Sequence, residues 1–175
     1  MKKETWDIIL SVSTVVLALF TAWMAFSTFW LAKESREASF RQIGVQLWIE
    51  FQKRFDSLEV VKARKKLATQ MRAKTPPKRD RISETVLNFF EDVGVSYDGG
   101  FLNKGLADDS FSYFLCRWWE ALKPYVHDER RRHKEDATLF ANFERLAGQM
   151  RLPNEVIDDV ELARFLEDES RLVDD

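Results

Sequence analysis

Apolar residues are concentrated in one uninterrupted segment near the start of the chain. From Ile8 to Leu31 there are 24 consecutive residues without a charge, which corresponds to roughly 36 Å of α-helix. The hydrocarbon core of a bilayer is roughly 30 Å thick, so this segment predicts a transmembrane helix with some tilt. Tryptophan and basic residues at its ends are typical of a membrane–water interface. The residues expected there are Trp6, Trp30, Lys33 and Arg36.

A cleaved secretory signal peptide is the alternative interpretation of this segment, with Lys2 and Lys3 as its basic start. Its apolar core would be unusually long, and no small-x-small cleavage site followed by a polar start precedes Lys33. We therefore expect the segment to remain as an anchor.

The distribution of basic residues predicts the orientation of this anchor. Lys2 and Lys3 precede the segment, whereas Lys33, Arg36 and Arg41 follow it closely. The positive-inside rule leans toward a cytoplasmic C-terminal side. A single cysteine and the lack of an Asn-x-Ser/Thr acceptor suit a reducing compartment. We expect a single-pass protein of the cell inner membrane, N-out and C-in.

Small residues recur every four positions along one face of the predicted span, at Thr14, Ala18 and Ala22. That spacing lets two membrane helices approach closely and favours a homodimer. The alternative is that small residues fall on one face by chance. The pattern leaves both interpretations open.

Helical periodicity continues beyond the span. A stripe of apolar residues at spacings of three and four predicts a stalk helix: Phe40, Ile43, Leu47, Phe51, Phe55 and Leu58. Asp56 and Glu59 resemble a capping box, which predicts a second helix from there to about Met71. The prolines of the segment 74–80 predict a linker.

Four further helices follow in this interpretation. One begins near Ile82 and ends at Gly99-Gly100, and the next is capped by Asp108 or Asp109 and kinked or ended by Pro124. The run 127–136 is interpreted as a solvated helix end and loop. The apolar residues of 139–150 predict another helix, and an acidic one follows over about 156–172.

The predicted fold is therefore all-α, with one N-terminal transmembrane helix followed by a cytosolic helical bundle of about five helices. Its segments are a short tail (1–7), the span (8–31), a helical domain with a juxtamembrane stalk (32–154) and an acidic helix or tail (155–175).

Charge is unevenly distributed, although the net charge is only −2. Between Lys62 and Arg81 nine residues are basic and one is acidic, whereas nine are acidic and two basic from Glu155 to Asp175. The basic run contains no aromatic residue, so contact with anionic lipid or a protein partner is favoured over nucleic acid. A solvated helix face, the commonest outcome for such runs, is the alternative. The residues proposed for this contact, on an exposed helix face and the linker after it, are Lys62, Arg64, Lys65, Lys66, Lys78, Arg79 and Arg81. Two independent solvated segments are preferred to a tail that folds back on the basic run.

No catalytic or metal-binding motif is evident, and no cofactor is expected. The two histidines, His127 and His133, do not share a helix face and lack the Glu-x-x-His pattern of di-iron bundles. Cys116 lies among apolar residues, where a thiol is unreactive. Four polar residues beside the aromatic stripes would form a polar cluster if they pointed inward together: Asn88, Glu91, Glu120 and Glu144. The preferred alternative places each at a helix edge, paired with Arg117, Arg145 or solvent.

Several short motifs occur in a recognisable order. They are LNFFEDVG (87–94), GLAD (105–108), WWE (118–120), Pro124 and NFERL (142–146). With the N-terminal span, this arrangement resembles a bacterial membrane-anchored family, domain of unknown function 4760, over residues 5 to 150. The resemblance implies a helical fold and a membrane anchor, and it carries no reaction, ligand or catalytic residue.

We interpret the chain as a membrane-tethered helical protein-interaction module on the cytoplasmic face, without evident catalytic activity. Its expected partners are the lipid bilayer and an unidentified protein. A regulatory or effector enzyme whose site is not visible in the sequence, and a small membrane-acting toxin, are the alternatives.

Overall fold

Six α-helices and no strand make up the described part of the chain. The computed structural model describes residues 2–73, 80–102, 104–151 and 156–172, with the backbone alone for 2–13, 15, 37 and 104. The helices are α1 (Lys2–Phe55), α2 (Leu58–Arg72), α3 (Arg81–Asp98), α4 (Lys104–Arg132), α5 (Ala141–Met150) and α6 (Asp159–Ser170). The predicted all-α fold is confirmed. The linker expected over 74–80 lies, apart from Asp80, outside the described residues.

The chain divides into two compact units, and the boundary at Gln42 and Ile43 falls within α1. The first unit is helical, and every side chain that the structure describes in it is exposed. The predicted stalk stripe is therefore only partly a packing face: Phe40 is 53% exposed, whereas Phe51 and Phe55, in the second unit, are 8% and 4% exposed.

An aromatic core holds the second unit together. Phe55 at the end of α1 lies 5.3 Å from the ring of Phe89 in α3, and Phe90 stacks on Phe143 of α5 at 4.9 Å. Trp118 in α4 is fully buried. The apolar stripes predicted for α3 and α4 are largely buried, as their spacing indicates. Burial of such rings, with edge-to-face contacts adding to it, is the main stabilisation expected for this bundle.

Local signals explain how the helices begin and end, with two corrections. The cap of α2 is Ser57, whose hydroxyl accepts a hydrogen bond from the Val60 amide, and the predicted Asp56–Glu59 box is wrong. Asp80 forms a capping box with Ser83 at the start of α3. At its end, Gly99 is the C-cap and Gly100 adopts a φ of +70°, which favours glycine.

The other correction concerns α4. It begins at Lys104, so Asp108 lies inside the helix, where its carboxylate accepts a hydrogen bond from the Tyr97 hydroxyl at 3.2 Å. That tertiary contact and the burial of Ala107 favour an earlier helix start. Of the kink or helix end predicted at Pro124, the end does not occur, since the helix continues to Arg132. The proline lies on the exposed side of the helix.

Candidate functional site

The apolar part of α1 has no protein surface covering it within the described chain. Its large side chains are 53–70% exposed between Val16 and Leu31. Trp30 is 58% exposed, and the ammonium group of Lys33 lies 6.0 Å from its ring. Arg36 is exposed as well, and the side chain of Trp6 lies outside the described residues. One helix in the described chain is thus long and apolar enough to cross a bilayer, and none of its most apolar segment is buried.

The hydroxyl groups of this segment are satisfied within the helix itself. Thr21 donates to the carbonyl oxygen of Leu17 at 2.8 Å, and Ser27 donates to that of Trp23 at 2.9 Å. Thr28 makes the same contact one residue further on. Because these donors need no water, the segment is compatible with a hydrocarbon environment. Thr14, Ala18 and Ala22 are exposed on the same segment.

The basic residues of α2 and of the start of α3 do not share one exposed face. Lys62, Lys66 and Arg81 are exposed, and Lys65 is half-buried. The guanidinium of Arg81 lies 3.0 Å from the carboxylate of Glu59. Lys78 and Arg79 lie outside the described residues.

Arg64 corrects the prediction of an exposed basic face, because its side chain is only 4% exposed. Its Nε and Nη2 atoms donate to the two carboxylate oxygens of Glu169 in α6, at 2.7 and 2.5 Å. Arg64 also donates to the carbonyl oxygen of Phe55, and its guanidinium lies 3.8 Å from the centre of the Phe55 ring. A bidentate pair that is both buried and stacked fixes the position of α6 along α2.

Two further contacts hold α6 against α2 and α4. The Arg117 guanidinium of α4 pairs with Glu161, and Arg72 donates to the hydroxyl of Ser170 at 2.9 Å. Between them the buried ring of Phe165 lies edge-on to Trp118, with ring centres 5.6 Å apart. The preferred prediction of two independent solvated segments is therefore wrong. The acidic helix folds back and packs into the same unit as the basic one.

The four polar residues considered for an inward-facing cluster lie apart, at separate places on the bundle. Glu91 accepts hydrogen bonds from the amides of Asn142 and Phe143, at 3.3 and 2.8 Å, and so caps the start of α5. Glu120 and Glu144 pair with two different arginines, Arg151 and Arg130, at 2.7 Å each, and Asn88 is exposed. These polar groups lie at helix edges as preferred, but their partners are not the arginines expected.

The other candidate residues also lie apart. The thiol of Cys116 is buried and donates to the carbonyl oxygen of Ala147 at 3.7 Å. His127 is exposed, and the Nε2 atom of His133 lies 3.8 Å from the Glu129 carboxylate. In the described segments, His, Cys, Asp and Glu side chains form no group of three or more that could hold a metal ion.

The residues that join α6 to the bundle were not among the predicted site residues. They are spaced four residues apart, at Glu161, Phe165 and Glu169, which places them on one helix face. This spacing could have predicted that the face packs against the bundle. The identity of their partners was not readable, since Arg64 and Glu169 are separated by 105 positions in the chain.

Comparison with known proteins bears on the family of the chain. Searches of curated proteins and of solved structures each gave no match. A family model matches residues 8–150, which include α2 to α5 and end before α6. The chain therefore belongs to the family described as "Domain of unknown function (DUF4760)".

Proposed function

We propose that this protein is a membrane-tethered helical interaction module, anchored by α1 and presenting the second unit to protein partners on the cytoplasmic face of the inner membrane. The observation that carries the proposal is the exposure of the apolar segment 16–31. In water, exposed apolar surface costs about 25 cal/mol per Å². Insertion into lipid removes that cost and leaves the helical bundle outside the bilayer.

The charge pattern supports the orientation and a second contact with the membrane. Lys33, Arg36 and Arg41 are exposed just after the apolar segment, where cytoplasmic basic residues are usual. Lys62 and Lys66 add exposed positive charge to the bundle. Each basic residue near an anionic surface contributes about 1 kcal/mol of attraction. The face with Thr14, Ala18 and Ala22 offers a contact for a homodimer within the membrane.

Membrane fractionation with matched variants tests the anchor. We expect the full-length protein to stay in the pellet after a carbonate wash. Replacing Val16, Phe20 and Met24 together by Asp costs about 3 kcal/mol per residue in the bilayer centre and should move the protein to the supernatant. Replacing the same three residues by Leu should not. Recovery of the wild-type protein in the supernatant contradicts the anchor.

Partner capture tests the interaction role. Crosslinking in intact cells, followed by purification of the tagged full-length chain, should return one partner at a fixed stoichiometry. Loss of that partner in the Asp variant, and its retention in the Leu variant, would show that tethering is required. Enzymatic turnover by the purified chain, with no stoichiometric partner, would favour the enzyme alternative.

A further inference from the structure

The last helix, α6, is amphipathic and lies on the bundle through one face only. Glu161, Phe165 and Glu169 share this face at spacings of four, and Leu166 beside them is 8% exposed. Away from this face Asp159 and Arg164 are exposed, and Val160 is 70% exposed. This is the geometry of a helix bound in a groove.

The surface beneath α6 is built by the other helices and is ordered by their own contacts. Arg64 is held by the ring and carbonyl oxygen of Phe55. Arg117 lies 3.8 Å from the centre of the Tyr113 ring and donates to the Tyr113 carbonyl oxygen at 3.0 Å. Both guanidinium groups are thus positioned by contacts that do not involve α6. Pre-positioned charged groups reduce the entropy lost when a ligand binds.

The recognition elements of this surface match an acidic helix. Two arginines bracket an aromatic site in which the Phe165 ring lies 5.6 Å from Trp118 and 6.0 Å from Tyr113. A helix with carboxylates at its first and ninth positions and an aromatic ring at its fifth can contact both arginines and the aromatic site between them. The family match ends at residue 150, so it covers the residues of the surface and not the helix on it.

We propose that this surface, formed by α2 and α4, is a docking site for an acidic amphipathic helix of a partner protein, with the pattern Glu-x3-aromatic-x3-Glu. In this proposal α6 is the intramolecular occupant, which the partner helix displaces. The inference rests on the proposed interaction role and specifies the chemistry of the partner. A tethered occupant has a high effective concentration, so the partner must bind more tightly than α6 or be held nearby at the membrane.

Peptide binding to the full-length protein in lipid nanodiscs tests the docking site. The probe is a labelled, end-blocked peptide of residues 156–172. Phe165→Ala in the full chain weakens the internal occupant, so the peptide should bind this variant at least tenfold more tightly than the wild type. The same peptide with both Glu161 and Glu169 replaced by Gln should bind at least tenfold more weakly. Equal affinity for the wild type and the variant, or no binding to either, would overturn the proposal.

Variants of the receiving surface provide the matched control. Arg64→Met, added to Phe165→Ala, should reduce peptide affinity at least tenfold, whereas Lys62→Ala, on the exposed side of the same helix, should not. If these variants fail to fold, hydrogen exchange on the wild-type chain decides. The α6 amides should exchange at least tenfold faster than the core amides of α4, and faster still with excess peptide. Equal protection of α6 and α4 would overturn the proposal.

Two outcomes separate this inference from the proposed function. A cellular partner whose capture is unaffected by Arg64→Met leaves the interaction role intact and overturns the docking site. Tight peptide binding without any captured partner supports the docking site and contradicts the interaction role. If two copies of the chain form a dimer by exchanging α6, the occupant of the surface is a second copy and not a partner protein. That result would overturn the proposal.

Discussion

Gly94 shows how a single missing side chain sets the distance between two helices. A Cβ atom at this position in α3 would lie 2.7 Å from the carbonyl oxygen of Asn142 and 2.8 Å from its carbonyl carbon, at the start of α5. These are backbone atoms, which cannot rotate away as the end of a flexible side chain does. The close packing of α3 against α5 therefore depends on glycine here.

We expect Gly94→Ala to destabilise the second unit by about 1–3 kcal/mol, as overpacking does, despite the higher helix propensity of alanine. Gly148 in α5 is the matched control, because a Cβ there has no neighbour within 4 Å. Gly148→Ala should stabilise the protein by up to about 1 kcal/mol. Chemical denaturation of both variants measures the difference, and equal effects would contradict the steric argument.

Asp80 connects the stability of α3 to pH. Burial raises the pKa of its carboxyl, but hydrogen bonds from Ser83 and from the amide of Ile82 outweigh burial and hold this pKa below its ordinary value of 3.8. A lowered folded-state pKa stabilises the protein above the unfolded pKa, and this contribution is lost as the pH falls through the folded value.

Asp80→Asn tests this linkage, because asparagine is also a good N-cap but does not titrate. The wild type should exceed the variant in stability most at neutral pH, and the difference should shrink below about pH 4 and level off in stronger acid. The free energy of unfolding of both proteins, measured between pH 2 and pH 7, gives this difference at each pH. A constant difference across this range would mean that the carboxylate charge contributes nothing.

At the scale of elements, α5 depends on a residue from another helix. Its N-cap position is Phe140, which has a φ of 56° and makes no side-chain cap. The Glu91 carboxylate of α3 takes that role through the amides of Asn142 and Phe143. We expect Glu91→Ala to cost about 1–2 kcal/mol, as the loss of a cap usually does.

The adjacent residue offers a control for this prediction. Asp92 pairs with Arg54 at 2.6 Å in an exposed salt bridge. Such bridges contribute about 0–1 kcal/mol, so Asp92→Ala should have a small effect. Hydrogen exchange adds a local readout, since Glu91→Ala should accelerate exchange in α5 before α3. Equal losses for the two variants would argue against a specific cap.

The same helices show which parts of the structure could be predicted from the sequence. Helices α3 and α4 have stripes of large apolar residues at helical spacing, and burial follows directly from that local pattern. The start of α4 was not predicted, because Asp108 accepts a hydrogen bond from Tyr97 of α3 inside the helix instead of capping it. The position of α6 depends on Arg64. In the sequence, this arginine cannot be distinguished from the neighbouring basic residues that are predicted to be exposed. Local periodicity predicts helices, whereas partners distant in sequence decide which charges are buried.

For the whole molecule, the segment at the start of α1 poses a different problem from the bundle. The side chains that the structure describes in the first unit are all exposed, so packing within the chain does not account for its many apolar residues. The aromatic core of the second unit, by contrast, buries large rings from five helices, α1, α3, α4, α5 and α6. Our proposal that the first unit lies in lipid accounts for this contrast, and the orientation is then the property to measure.

Cysteine labelling in intact cells measures the orientation. We expect Ser35→Cys, on the cytoplasmic side in our proposal, to be inaccessible to an impermeant thiol reagent until the cells are lysed. Thr5→Cys, at the other end of the segment, should be labelled in intact cells. Neither variant changes the basic residues that set the orientation. The native Cys116 is 3% exposed, so the wild-type chain serves as a low background control. Labelling at position 35 but not at position 5 would reverse the orientation, and labelling at both would contradict a membrane-spanning α1.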